Sequence, residues 1–369
     1  MAFLLRKAAV IAALIVVVVS AAAGAAADTP LTVSESLGVL AFANRMPIAL
    51  SPDGEWVAYT VEDDRKREST SDERYTFYTR SGVFTEAVGC DVWLTNTRTG
   101  ESRNLTQGKG TSSSPVWSPD GKQLAFYSDR GGMEAIWIWE RGSGQMRQLS
   151  QAIPRPFFNF QVVRWSPDGR TILAKVLPEG MTVEQAADLI TPPIAPAVES
   201  GKKKGVTVQV FRAEPVKKEE GGAKRLENDS WMNRYLGDLA LIDVASGKVE
   251  HIVSNIKPLG YWFSPDGQTI AYDDWKGIEE NTQQPVYELA VYDVARRRSR
   301  VLVPKAEMDY GISVSFSPDS RTIAYLTTKG DCYAVPVAGG EAQNLTPGKH
   351  SSFSNDHRAP LWDASGQHI

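Results

Sequence analysis

Trp117-Ser118-Pro119-Asp120-Gly121-Lys122-Gln123-Leu124-Ala125-Phe126 decides the fold, because its central tetrapeptide returns along the chain. Ser-Pro-Asp-Gly stands at Ser51 to Gly54, Ser118 to Gly121, Ser166 to Gly169 and Ser264 to Gly267. A variant occupies Ser317 to Ser320, and a degenerate copy reads Asp363-Ala364-Ser365-Gly366. Successive starts lie 67, 48, 98, 53 and 46 residues apart, so the unit is close to 48 with insertions in the first and third copies. A fixed period of this size signals a repeat architecture.

Each copy has the same layout. An apolar residue precedes the serine (Leu50, Trp117, Trp165, Phe263, Phe316), and another lies six after it (Val57, Leu124, Ile172, Ile270, Ile323). Ala58, Ala125, Leu173, Ala271 or Ala324 follows, then Tyr59, Phe126, Ala174, Tyr272 or Tyr325. Proline fixes φ at the second turn position, and Asp then Gly complete it, so the tetrapeptide joins two antiparallel strands. A second β-rich run comes later in each unit: Val92 to Leu94, Ile136 to Ile138, Leu239 to Ile242, Leu289 to Tyr292 and Tyr333 to Val335. A turn such as Thr97-Arg98-Thr99-Gly100 leads to a short closing strand, as at Arg103 to Thr106, Arg147 to Ser150, Arg300 to Val303 or Gln343 to Thr346. Four short strands per unit describe one blade of an all-β propeller with WD40-like or TolB-like repeats. A long β-sandwich is the other all-β option, but it gives no reason for this period. The small residue beside aromatics suits blades packed face to face around a crowded axis.

The expected organisation is a leader at 1–27, a lead-in at 28–47 and an incomplete propeller at 48–369, with an insertion at about 178–235 in the third blade. Arg6 and Lys7 precede an apolar run from Ala8 to Val19, then Ser20 and small residues ending at Ala27: the layout of a secretory signal cleaved there. A retained anchor is the other reading of this run. Cleavage takes the formal charge from −4 to −6, which argues against general affinity for nucleic acid or an anionic membrane. A periplasmic or secreted protein is expected. Within the insertion, Thr182-Val183-Glu184-Gln185 reads as a capping box for a short helix ended by Pro192-Pro193. Lys202 to Lys204 and Lys217 to Gly222 flank an extended stretch, Val206 to Phe211, in what reads as an excursion over one face.

These repeats resemble the N-terminal propeller of exported prolyl oligopeptidase family serine peptidases, the branch of acylaminoacyl and dipeptidyl peptidases. The resemblance is carried by Ile48-Ala49-Leu50-Ser51-Pro52-Asp53-Gly54, the repeated Trp-Ser-Pro-Asp-Gly, the inserted third blade and the strand Asp238 to Asp243. It implies peptide hydrolysis by an α/β-hydrolase domain that the propeller caps, restricting access to short or unfolded peptides. TolB-like periplasmic propellers share the signature, so a standalone binding platform for a protein or ligand is the alternative function. Such proteins resemble a design with a separate α/β domain ahead of the first blade, for which about 20 residues between Ala27 and Ile48 leave no room.

No Gly-x-Ser-x-Gly window occurs; Gly311-Ile312-Ser313-Val314-Ser315 lacks the second glycine and reads as blade strand. The sixth copy stops at Ile369, the position of Val57 or Leu124 in its strand. The expectation is five blades plus a truncated sixth, with an open edge available for pairing with another chain, as in a fragment or the first piece of a split enzyme. No catalytic residue, cofactor or metal is expected. His251, His350, His357 and His368 lack a motif supplying an activated serine, and Asp356 between two of them fits no metal spacing. His251 reads as packing or surface. Asp273-Asp274-Trp275 with Glu279-Glu280 is similar to the acidic pair with which dipeptidyl peptidases hold a free N-terminus. It departs from that pattern in following a Ser-Pro-Asp-Gly strand, and a solvated acidic loop is the preferred reading; Glu279 and Glu280 remain the substrate-binding candidates. Asn104-Leu105-Thr106 and Asn344-Leu345-Thr346 fit a glycosylation sequon but share one strand end, so the repeat accounts for them. Cys90 and Cys332 fall in different blades and are expected as separate buried thiols.

Overall fold

The computed structural model describes residues 38–44, 46–67, 72–190, 229–278, 285–308, 314–347 and 359–369. The expected leader, most of the expected third-blade insertion and Gly311 to Ser313 lie outside the described residues.

Five antiparallel sheets follow one another along the chain, each in the order its strands occur. After a two-residue β1 (Ala41–Phe42), the first blade is β2 (Ala49–Leu50), β3 (Trp56–Glu62), β4 (Cys90–Asn96) and β5 (Ser102–Asn104); β1 pairs with the far end of β3. The second is β6 (Ser112–Trp117), β7 (Gln123–Ser128), β8 (Ala135–Glu140) and β9 (Met146–Gln148). The third is β10 (Arg164–Trp165), β11 (Thr171–Val176), β12 (Gly237–Asp243) and β13 (Val249–Ile256). The fourth is β14 (Tyr261–Phe263), β15 (Thr269–Ile278), β16 (Pro285–Asp293) and β17 (Arg298–Ala306). The fifth is β18 (Val314–Phe316), β19 (Thr322–Leu326), β20 (Cys332–Pro336) and β21 (Gln343–Asn344).

The repeated tetrapeptide is a closed hydrogen-bond circuit. In all five copies the serine Oγ donates to the aspartate Oδ1 at 2.6–2.7 Å and accepts the N–H five residues on at 2.9–3.0 Å. The same aspartate oxygen accepts a second N–H at 3.0–3.1 Å. This arrangement demands left-handed backbone at the fourth position, where Gly121 has φ +69° and Ser320 φ +63°. The sixth copy exchanges the roles: Asp363 stands first, and its carboxylate takes the Ser365 hydroxyl at 2.8 Å and the Gln367 N–H at 3.1 Å.

Neighbouring turns also touch. A Cβ at Gly121 would lie 3.2 Å from Pro52 Cδ, and Gly267 and Gly366 stand in the same relation to Pro167 and Pro318, at 3.2 and 3.3 Å. Between the fourth and fifth turns, Ser320 Oγ accepts the Asp266 N–H at 3.1 Å. The indoles of Trp117 and Trp165 each donate to an inner-strand carbonyl of the preceding blade, Ala49 and Val116, both at 3.2 Å.

Side-chain parity then builds the core. Residues six and eight after the serine face the preceding blade, and those seven and nine after it face the next. Ala58 thus meets Leu124 and Phe126; Ala125 and Tyr127 meet Ile172 and Ala174; Leu173 meets Ile270 and Tyr272; Ala271 meets Ile323 and Tyr325. Four apolar clusters therefore join consecutive blades, as expected for face-to-face packing of a propeller. Ala58, Ala125, Ala271 and Ala324 are wholly buried; a larger side chain there would overpack the interface. Cys90 and Cys332 are buried and free.

Candidate functional site

Opposite the turns, the loops between second and third strands carry the insertions. In the first blade, residues 63–89 contain three short 3-10 turns. In the third, helix α1 (Val183–Ile190) is followed by a 3-10 segment, Asp229–Tyr235. The capping box of α1 is present: Thr182 Oγ1 accepts the Gln185 N–H at 3.2 Å, and Gln185 Oε1 accepts the Thr182 N–H at 2.9 Å. Its buried side, Val183, Ala186 and Ala187, packs on Tyr75 of the first-blade loop.

Both insertions converge with the 150–163 connector on an aromatic group. Phe157 sits 5.2 Å from Phe84 and 4.6 Å from Tyr235, ring centre to ring centre. The Arg155 guanidinium lies 3.9 Å from the centre of the Tyr78 ring, and that of Arg234 lies 5.0 Å from the centre of Phe157. Gln161 locks the connector: its Oε1 accepts the Phe157 N–H at 2.7 Å, and its Nε2 donates to the Pro258 and Leu259 carbonyls at 3.0 Å.

Beneath this layer lie charged side chains in apolar surroundings. The residue nine after each turn serine faces the next blade at the mouth end of its strand, and this slot holds Thr60, Tyr127, Lys175, Asp273 and Leu326. Thr60 Oγ1 accepts the Ser114 N–H at 3.1 Å, and the Tyr127 hydroxyl donates to the Gln161 carbonyl at 3.2 Å; each side chain thus holds the next blade's entry. Lys175 is wholly buried, and among the described residues its Nζ has no hydrogen-bond partner. Asp273, also wholly buried, accepts the Leu259 and Gly260 N–H groups at 2.7 and 3.1 Å through Oδ1, leaving Oδ2 without a hydrogen-bond partner among the described residues. Glu134, 3% exposed, likewise keeps an unbonded Oε2. Burial pushes the Asp273 carboxyl up to about 7, the Glu134 carboxyl well above the usual range and the Lys175 ammonium well below its own. Burying ionisable groups is costly to folding even when they are driven toward their neutral forms, and shifts of this kind make them the candidate functional residues of this end.

The sequence candidates fall differently. Glu279, Glu280, His350, Asp356 and His357 lie outside the described residues. The reading of Asp273-Asp274 as a solvated loop is corrected: both lie within the ten-residue β15 and are buried, Asp273 paired in register with Leu289 and Asp274 with Glu288. The reason is parity. Asp273 turns inward to cap two connector amides, while Asp274 Oδ1 accepts the Lys257 N–H at 2.8 Å and Oδ2 the Lys276 ammonium at 2.6 Å. His251 contacts Asp238 through Nδ1 at 2.7 Å, and the same carboxylate caps the amides of Glu179 and Asn255, a structural role. In both Asn-Leu-Thr copies the threonine Oγ1 accepts a strand N–H, from Val92 or Cys332, so this motif is the closing strand's anchor. Glu134, Arg155 and Lys175 escaped the sequence reading, although a lone lysine inside the apolar run Ile172 to Leu177 was a visible signal. Among the described residues no group of three His, Cys, Asp or Glu side chains is placed to hold a metal ion, and no helix is long and apolar enough to cross a membrane.

No family model matches the chain. An uncharacterized peptidase of Bacillus subtilis, YuxL, is 29% identical over 224 residues, covering 58% of this chain and 30% of that protein. Dipeptidyl-peptidase 5 of Porphyromonas gingivalis is 27% identical over 128 residues, covering 33% of this chain and 16% of that protein. Both relatives carry peptidase names. Among solved structures, the acylaminoacyl peptidase of Pyrococcus horikoshii is 14% identical with a TM-score of 0.45, over 81% of this chain and 38% of that one. The chain spans less than a third of the length of either curated relative.

Proposed function

We propose that this chain is the substrate-gating propeller portion of an exported prolyl oligopeptidase-like serine peptidase, periplasmic or secreted, and that it holds no catalytic centre of its own. The supporting observation is the convergence of two blade insertions and the 150–163 connector on one mouth, over the buried charges of Glu134, Arg155, Lys175 and Asp273. A mouth narrowed by packed aromatics admits an extended peptide more readily than a folded protein, and buried ionisable groups with unused hydrogen-bonding atoms suit the recognition of a peptide end. Hydrolysis itself needs an activated nucleophile with oxyanion donors, and the sequence has no Gly-x-Ser-x-Gly.

The test is labelling of the purified chain with a fluorophosphonate probe, beside sequencing of the gene past codon 369. The expected result is no labelling and a reading frame that continues into a Gly-x-Ser-x-Gly. Labelling abolished by a single serine substitution in this chain would overturn the reading.

A further inference from the structure

Between the fourth and fifth blades, on the turn side and remote from the aromatic mouth, runs a groove of about 1050 Å3. Four arginines line it: Arg296, Arg298 and Arg300 from the fourth blade and Arg321 from the fifth. The only acid on its walls, among the described residues, is Asp293. Such a concentration of positive charge is unexpected in a chain whose formal charge is −4.

Two of the four are committed. Arg296 pairs with Asp293 at 2.7 Å, and Arg300 donates to the carbonyls of Val337 and Ala338, riveting the blades together. Arg298 and Arg321 have exposed guanidinium groups with no hydrogen-bond or ion-pair partner among the described residues. Arg297, by contrast, turns the other way to Glu250 of the third blade. Alternation along the strand therefore presents every second arginine to the groove.

The strand itself is the second half of the site. β17 is the outermost strand of its sheet and, at nine residues, the longest outer strand of the five blades. Among the described residues no strand pairs with its outer edge, and Val301 is 45% exposed beside it. An open edge of this length is a template for an added strand.

We propose that β17 and this groove bind an acidic peptide segment in extended conformation, as a fifth strand of the fourth blade. Backbone hydrogen bonds to Arg298–Val303 supply affinity, and carboxylates at every second residue, about 7 Å apart, meet Arg298 and Arg321. A peptide matches both features at once, whereas a nucleic acid or a lipid headgroup would use the charge and leave the edge idle.

The experiment titrates the full chain into a fluorescein-labelled peptide alternating glutamate with valine, read by anisotropy at low and high salt. Saturable binding is expected, weakened about tenfold by the paired substitution Arg298→Glu and Arg321→Glu, with circular dichroism unchanged. The milder pair Arg298→Ala and Arg321→Ala repeats the measurement should the reversal disturb folding. Binding should also fall for a glutamine-for-glutamate peptide and for one with a methylated backbone. Binding indifferent to the arginines, equal binding of the methylated peptide, or equally tight arginine-dependent binding of oligothymidylate would each overturn the proposal, leaving the arginines as guards of an exposed edge.

Discussion

Replacing Asp273 by asparagine should stabilise the protein, increasingly so as pH rises from about 4 to 7. The carboxyl is wholly buried, and its ordinary value of 3.8 is raised to about 7 by desolvation. A shift of about 3 pH units at about 1.4 kcal/mol each is worth about 4 kcal/mol. Its sign follows from proton binding. Between about pH 4 and pH 7 the folded protein retains a proton that the unfolded chain has released, so this group's contribution to stability falls as pH rises through that window. Below it the carboxyl is neutral in both states, and above it the full cost persists. Asparagine keeps the Oδ1 acceptor that holds the Leu259 and Gly260 amides and never ionises. Glu134 titrates in the same direction and Lys175 in the opposite one, but both are present in parent and variant and largely cancel in the difference. Urea unfolding followed by tryptophan fluorescence at about pH 4 and pH 8 should give near-equal stabilities at the lower pH and an advantage of about 4 kcal/mol for Asp273→Asn at the higher. A difference that does not grow with pH, or a variant weaker at pH 8, would refute the reasoning and mean that Asp273 is ionised against Lys175.

The turn circuit yields two further expectations. Ser166→Ala removes a hydroxyl that binds Asp168 at 2.6 Å and the Thr171 N–H at 3.0 Å, so it should cost about 1–3 kcal/mol, against under about 0.5 kcal/mol for Ser365→Ala in the exposed sixth copy; equal losses in denaturant midpoints would contradict the circuit. Gly121 and Gly100 have similar φ, +69° and +74°, but only Gly121 has a neighbour, Pro52, at 3.2 Å. Both alanine variants should therefore lose about 1–2 kcal/mol to backbone strain, with Gly121→Ala losing about 1 kcal/mol more from the proline contact; identical thermal shifts would exclude turn-to-turn packing.

The repeats made the blades legible because their chemistry is local. A serine, a proline and an aspartate within four residues specify a turn that needs nothing from elsewhere, and the strand pattern six to eight residues on records which face meets which neighbour. The α1 capping box was readable for the same reason, since Thr182 and Gln185 satisfy each other. The mouth was not readable. Whether Glu134 finds a partner depends on the 150–163 connector, and whether Asp273 is solvated depends on Leu259 and Gly260 arriving from another strand. Asp273-Asp274 looked like an exposed loop because adjacent acids are usually wet; register with β16 placed them inside.

These two ends of one strand explain how a repeat carries function. At the turn end, the serine, proline and aspartate are the same in all five blades, because each takes part in the hydrogen-bond circuit or in a contact with the adjoining turn. Farther along the strand the constraint changes. The slot nine after the serine holds threonine, tyrosine, lysine, aspartate and leucine in the five blades, and only some of these reach the next blade's entry. Thr60 and Tyr127 do so with ordinary hydrogen bonds, which contribute to folding. Among the described residues Lys175 leaves its Nζ, and Asp273 one carboxylate oxygen, without a hydrogen-bond partner. Folding alone gives no reason for the costlier choice. The asymmetry between adjacent copies of one slot, rather than the repeat itself, is therefore the feature that the proposed gating role accounts for.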